Sequence, residues 1–337
     1  MVHDSGEFRQ DACKKVDMRK TVLVLLLIAL SCPAIAQEVF FSAGVTRDTN
    51  TRNTRNQWSV TYKQNLGDHA AFSFSYLNEG HQINHYRDGL AAQLWGRTGL
   101  LDSRLSLALG IGPFAYADTH VAPITETFQD RHGFGLISSA TATWYGMRPL
   151  LLQARVNYIG TGQSFDTVSG TFGIGYLLGA PVPPETSPQP VAGKRTTNNE
   201  ITLFLGQAVL NSAKSEKDTA LSVEYRRRLM RYLDWTIAWL SEGNTHPFGR
   251  NGILTQLWAV RPFYDDDLAL GIGAGPYIAH DKYSGDNEGK EKAAGAVSFT
   301  VSYRFHPQFA LRGSFTRIVT NYDRDTDVFL GGLTYRF

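Results

Sequence analysis

Within ten positions of the first half, the chain places Glu79, His81, His85 and Asp88. A carboxylate beside an imidazole can act as orienter and general base, and the same groups can ligate a metal. These four are the catalytic candidates, and metal ligation stays open. Their stretch, YLNEGHQINHYRDGLAAQLWG from Tyr76 to Gly96, returns in weaker form as WLSEGNTHPFGRNGILTQLWA from Trp239 to Ala259. Glu79/Glu242, Gly80/Gly243, Arg87/Arg250, Gly89/Gly252, Gln93/Gln256, Leu94/Leu257 and Trp95/Trp258 all share an offset of 163 residues. The chain is therefore a duplication.

The duplication sorts the residues. His81 aligns with Asn244, His85 with Phe248 and Asp88 with Asn251, so these titratable groups belong to the first half alone. The repeated Glu79 with Arg87, and Glu242 with Arg250, read as structural ion pairs at a rim, and the repeated glycines as bends. If the protein does chemistry, its site is in the first half and the second is a degenerate copy.

The elements that must position these residues are strands. From residue 38 to 178, and again from 200 to 337, the chain runs in eight period-2 segments per half, rich in aromatics, Leu, Val, Thr and Gly. No stretch shows a helical period. Short links such as Gly67-Asp68-His69 and His306-Pro307-Gln308 alternate with long polar ones, among them 80–87, 119–132 and 242–250. Phe72, Phe74 and Tyr76 share one face against Ala71, Ser73 and Ser75. Leu233, Trp235, Ile237 and Trp239 likewise oppose Asp234, Thr236 and Ala238. Even strand number, short turns at one end, long loops at the other and an apolar outer face describe a transmembrane antiparallel β-barrel. The fold class is all-β, with 16 strands in two repeats of eight. Two eight-stranded barrels are favoured over one sixteen-stranded barrel. Small and large inward residues alternate, as suits an interior filled by side chains.

The ends and the middle fix domains and compartment. Met18-Arg19-Lys20, an apolar run from Val22 to Leu30 and Pro33-Ala34-Ile35-Ala36 describe a secretory signal peptide cut after Ala36, with 1–17 as an upstream extension. Residues 37–178 form the first repeat, 179–199 a proline-rich periplasmic linker and 200–337 the second repeat. Cys13 and Cys32, the two cysteines of the chain, leave with the signal, which excludes a disulfide framework and a thiolate nucleophile. Net charge falls from +2 to +1 as five basic and four acidic residues are removed. Nothing there suits a polyanion, so nucleic acid is excluded as a partner, and no cofactor is called for.

Several other features read as structural. Gly110-Ile111-Gly112-Pro113 and its copy Gly273-Ala274-Gly275-Pro276 lie mid-strand with no helix following, so they mark a bend or tight interior rather than a phosphate loop. Asp323, Asp325 and Asp327 read as a solvated acidic loop. Arg226, Arg227, Arg228 and Arg231 read as an interfacial anchor.

Two resemblances bear on function. The terminal Leu333-Thr334-Tyr335-Arg336-Phe337 resembles the C-terminal signal of bacterial outer-membrane proteins. That likeness implies recognition by the barrel-assembly machinery through Tyr335 and Phe337, and outer-membrane lipids and lipopolysaccharide as surroundings. Asn78-Glu79-Gly80 is similar to the turn of the lipid A 3-O-deacylases. Their His-x-Ser pair is replaced here by Ser75 and Leu77, and no catalytic role carries over. The expectation is a non-enzymatic outer-membrane barrel with a structural, interaction or limited solute-passage role. The alternative is an outer-membrane enzyme acting on lipid A or phospholipid through the cluster at 79–88.

Overall fold

The computed structural model describes residues 37–337 apart from 83–84, 123–126, 179–197, 213, 265 and 284–289. The expected signal peptide, nearly all of the expected linker and the side chain of His81 lie outside the described residues. The first half consists of β1 (Gln37–Asp48), β2 (Thr54–Asn65), β3 (Ala70–Gln82), β4 (His85–Leu100), β5 (Leu105–Val121), β6 (Phe128–Met147), β7 (Leu150–Gly160) and β8 (Thr167–Leu178). The second consists of β9 (Asn199–Leu210), β10 (Lys217–Met230), β11 (Leu233–Ser241), β12 (Arg250–Phe263), β13 (Leu268–Asp281), β14 (Lys290–His306), β15 (Phe309–Val319) and β16 (Thr326–Arg336).

The closure is double. β1 pairs antiparallel with β8 from Gln37↔Leu178 to Asp48↔Thr167, and β16 pairs with β9 from Thr326↔Leu210 to Arg336↔Glu200. Each half is thus a closed barrel of eight strands. Closure leaves neither barrel with an unpaired edge strand.

Two expected loops are strand instead. β3 and β4 extend the hairpin across most of 80–87, and β5 and β6 take up much of 119–132, with Val121 opposite Phe128. Their polar composition suggested loops, but they continue the antiparallel ladder beyond the apolar stretch of the wall. A polar strand needs only pairing where water can reach both faces.

Alternation along the strands sorts side chains as a membrane barrel requires. Pointing outward are Leu109, 71% exposed, Phe172, 80% exposed, and Ile174, Leu203, Leu205 and Leu257. Pointing inward and buried are Gln93, Ser139, Arg155, Asn157, Glu200, Glu224, Gln256 and Arg312. A water-soluble sandwich would reverse these faces.

The glycine–proline copies are places of close approach. Trp95 on β4 lies across the backbone of β5, and a Cβ at Gly110 would sit 2.5 Å from its indole ring; Trp258 stands likewise over Gly273. One step later the ladder skips. Partners run Leu94↔Ile111 and then Ala91↔Phe114 in the first barrel, and Leu257↔Ala274 and then Leu254↔Tyr277 in the second. A Cβ at Gly112 or Gly275 would meet the facing carbonyl oxygen of Ala92 or Thr255. The bend expected here is a shared irregularity that admits a tryptophan to each interior.

Candidate functional site

The repeated ion pair is a buried cross-brace. The Arg87 guanidinium donates through Nε to Glu79 Oε2 at 2.5 Å, through Nη2 to Thr167 Oγ1 at 3.1 Å, and through Nη1 to the Phe165 carbonyl. Thr167 donates its own hydroxyl proton to Glu79 Oε1 at 2.6 Å. The second barrel repeats the arrangement. Arg250 binds both oxygens of Glu242 at 2.6 Å, Thr326 Oγ1 at 2.7 Å and the Arg324 carbonyl at 3.0 Å. All four charged side chains are buried; β3 and β4 run on past Glu79 and Arg87, whereas Glu242 directly follows β11 and Arg250 opens β12, at the strand ends. β3 and β4 thereby become tied to β8, and β11 and β12 to β16, across each lumen.

Of the four catalytic candidates Glu79 and His85 face the interior, Asp88 faces outward, and the side chain of His81 is not described. Glu79 is fully engaged by Arg87 and Thr167. His81 is placed by its backbone alone, paired with Tyr86. His85 faces inward near the loop end, where its Nδ1 lies 3.0 Å from both oxygens of Asp118. Its Nε2 lies 3.2 Å from His120 Nδ1, and its ring meets Phe165 edge-on at 5.1 Å. Asp88 faces the outside of the barrel, accepting from Tyr76 Oη at 2.7 Å. The three described side chains do not converge.

The group that does assemble is Asp118, His85 and His120, with Ser164 donating to Asp118 Oδ2 at 2.9 Å. A His85 proton on Nδ1 given to Asp118 leaves Nε2 as acceptor from His120, so the second imidazole can take up a proton relayed toward a buried carboxylate. Ser164 is not arranged as a nucleophile, because its hydroxyl faces the carboxylate rather than the imidazole. Among the described residues no group of three His, Cys, Asp or Glu side chains has the geometry to hold a metal ion. Asp118 was legible in the sequence through the repeat, since Asp281 stands 163 positions on. In the second barrel Asp281 meets Arg324 Nε at 3.1 Å. Where the first barrel sets an imidazole against its aspartate, the second sets a guanidinium.

Below this mouth both lumens are crossed by side chains. In the first, Arg155 donates to Asn157 at 2.6 Å, Gln93 at 2.6 Å and Thr61 at 3.2 Å. Nearer the turn end, Tyr145 donates to Glu38 at 2.7 Å beside Phe40, Leu151 and Leu177. In the second, Gln256 donates to Ser298 at 2.9 Å, and Arg312 bridges Glu224 at 2.6 Å and Glu200. Arg226, expected in an interfacial anchor, instead lies inside, 3.7 Å from Asp234 and 4.5 Å from the Trp258 ring. A cavity of ≈ 10 Å³ remains beside Glu200, Arg226 and Arg312, at the lower bound for a single water.

A second cluster, absent from the sequence reading, lies outside the walls where the two barrels touch. Arg317 reaches Asp327 at 3.0 Å and Asp88 of the first barrel at 3.3 Å. His132 Nε2 lies 2.6 Å from Asp325 Oδ2, and the Asp325 amide donates to Asp130 Oδ2 at 3.0 Å. Asp325 belongs to the β15–β16 loop. Burial pushes its carboxyl up, but the His132 hydrogen bond and the Arg317 charge outweigh that and hold it below the usual carboxylate range. Its stabilising contribution is present above the ordinary aspartate value and is lost as pH falls through the depressed one.

No family model matches the chain, and no curated protein matches it. Solved structures do. The N-terminal β-barrel domain of Pseudomonas aeruginosa OprF is 13% identical, covering 42% of this chain and 96% of its own, with a TM-score of 0.34. The attachment invasion locus protein Ail of Yersinia pestis is 9% identical over 42% and 96%, with a TM-score of 0.33. The monoaromatic hydrocarbon channel CymD is 10% identical over 93% and 92%, with a TM-score of 0.26.

Proposed function

We propose that the chain is an integral outer-membrane protein of a Gram-negative-type envelope. Its two barrels are filled rather than open, and it serves a structural or surface-interaction role with at most limited passage of small solutes. The observation that carries this reading is the inverted polarity of the walls: large apolar side chains stand exposed outside while arginines, glutamates and glutamines are buried within. The surroundings are outer-membrane lipids and lipopolysaccharide. Tyr335 and Phe337 support recognition by the barrel-assembly machinery, since their rings stack 5.9 Å apart, exposed beside the β9–β16 closure.

The protein is expected in the outer-membrane fraction, resistant to alkaline extraction, with a gel mobility that changes on boiling. In planar bilayers it should give no conductance steps, because Arg155 and Arg312 and their partners cross the lumens. Recovery from the soluble periplasm would overturn the membrane reading, and reproducible steps would overturn the filled one.

The imidazole pair favours one second reading, an enzyme acting on a lipid headgroup at the mouth of the first barrel. In it His85 and His120 carry the proton and Asp118 orients them; Glu79 is occupied by Arg87, and Asp88 faces away. Lipid A and phospholipid mass spectra of cells with the native protein should then differ from those with His85→Ala. Identical spectra would sink this reading.

A further inference from the structure

The outward cluster is out of place on a lipid-facing wall. Tyr76, Asp88 and Arg317 belong by strand alternation to the apolar exterior, yet each is buried, Tyr76 at 7% exposure. What covers them is the other barrel. Phe74 meets Phe299 at 6.0 Å and Tyr76 meets Phe315 at 5.1 Å, next to Phe329. At the loop end Phe128 of β6 packs against the apolar cluster that fills the upper second barrel, near Leu210, Phe248 and Val328. Charged groups exposed to hydrocarbon are expensive, so this face is tenable in a membrane only when covered.

The joint uses different faces of the two repeats. Its charged and aromatic core comes from β3, β4 and β6 of the first barrel and from β14, β15, β16 and the loop before β16 of the second; a separate contact at the turn end joins Tyr176 of β8 to Tyr264. A contact between unlike faces of like units can repeat without end, because each unit keeps one free copy of each face. Here the free copies have been altered. The shared Thr161–Asp166 and Thr320–Asp325 turns and the Thr167 and Thr326 partners align β7–β8 with β15–β16. Arg317 then corresponds to Tyr158, Asp327 to Val168 and Phe315 to Val156, all three exposed on the first barrel. On the second barrel Asp88 corresponds to Asn251, Tyr76 to Trp239 and Phe74 to Ile237, with Trp239 and Ile237 exposed. Arg317, Asp327 and Asp88 have no charged counterpart on the free faces, while Asp325 keeps its copy as Asp166.

We propose that this cluster is an intramolecular joint holding the two barrels together within the bilayer without help from the linker, and that its loss from both free faces ends assembly at one chain. The inference rests on the membrane reading. A chain that never enters membranes fails that reading, whereas one that enters but whose halves part fails this one.

The test uses the full chain with a protease recognition sequence inserted within residues 179–197 and an affinity tag after Phe337. After folding into detergent micelles and cleavage, the first half should co-elute with the tagged second half, and native mass spectrometry should find one of each. Arg317→Met should abolish co-elution while both halves keep their unboiled gel mobility. Should that variant fold poorly, Asp88→Leu with Arg317→Met keeps the test: it relieves Asp88 but still leaves Asp327 without its cation, and the same loss is expected. Separation of the native halves, co-elution undiminished in a folded variant, or particles with two or more copies of the chain would each overturn the proposal.

Discussion

Arg250→Met is expected to keep the second barrel from closing stably, while Arg250→Met combined with Glu242→Leu recovers most of the loss. The arginine pairs with both oxygens of Glu242, 1% exposed, and also binds Thr326 and the Arg324 carbonyl. Its removal strands a buried carboxylate, a change costing about 3–5 kcal/mol for a buried pair broken from one side. Removing both charges exchanges the pair for apolar volume, which is often neutral or stabilising. The readout is the fraction with unboiled gel mobility across a urea series. The same pattern is expected for Arg87 and Glu79. Equal losses in the single and double variants would show that the brace acts through packing rather than charge.

Gly110→Leu is expected to be the most damaging small-to-large change in the first barrel. The new Cβ falls 2.5 Å from the Trp95 ring, and that ring is fixed by its own Nε1–H donation to Ser73 Oγ at 2.7 Å and by Arg155 and Lys63 over its faces. Overpacking costs about 1–3 kcal/mol where neighbours can yield, and here the tryptophan must leave its site. Trp95→Ala alone leaves a cavity costing about 3–5 kcal/mol. The double variant Gly110→Leu with Trp95→Ala fills that cavity from the other strand and should be more stable than either single one. Urea titrations of the three variants decide this, and a double variant worse than both would refute the size complementarity.

The fold was largely legible because period-2 alternation and the alternating lengths of links are local signals. The closure as two barrels followed from small inward residues such as Ser106, Ala108 and Gly110, and the pairing of β1 with β8 bears it out. The polar ends of β3 to β6 were read as loops because polar alternation in water carries no burial signal. His85 was singled out, but its partners were not. Asp118, His120 and Phe165 come from β5 and the β7–β8 loop, and only the strand order brings them together. Asp118 could have been found, since it recurs as Asp281. The inter-barrel cluster was hidden by its setting: Asp325 and Asp327 look like a solvated loop until Arg317 and Asp88 are noticed on faces that otherwise carry Leu, Phe and Val.

The paired aspartates at the two mouths have one more consequence. A guanidinium only donates, while an imidazole has two ring nitrogens, one of which can donate as the other accepts. The contact between Asp281 and Arg324 is therefore the end of its line, whereas that between Asp118 and His85 is one link of a chain that runs on to His120. Ser164 and Phe165 lean on that chain at Asp118 and His85. The two barrels thus carry one aspartate in two settings, one closed off by its partner and the other open to a further link.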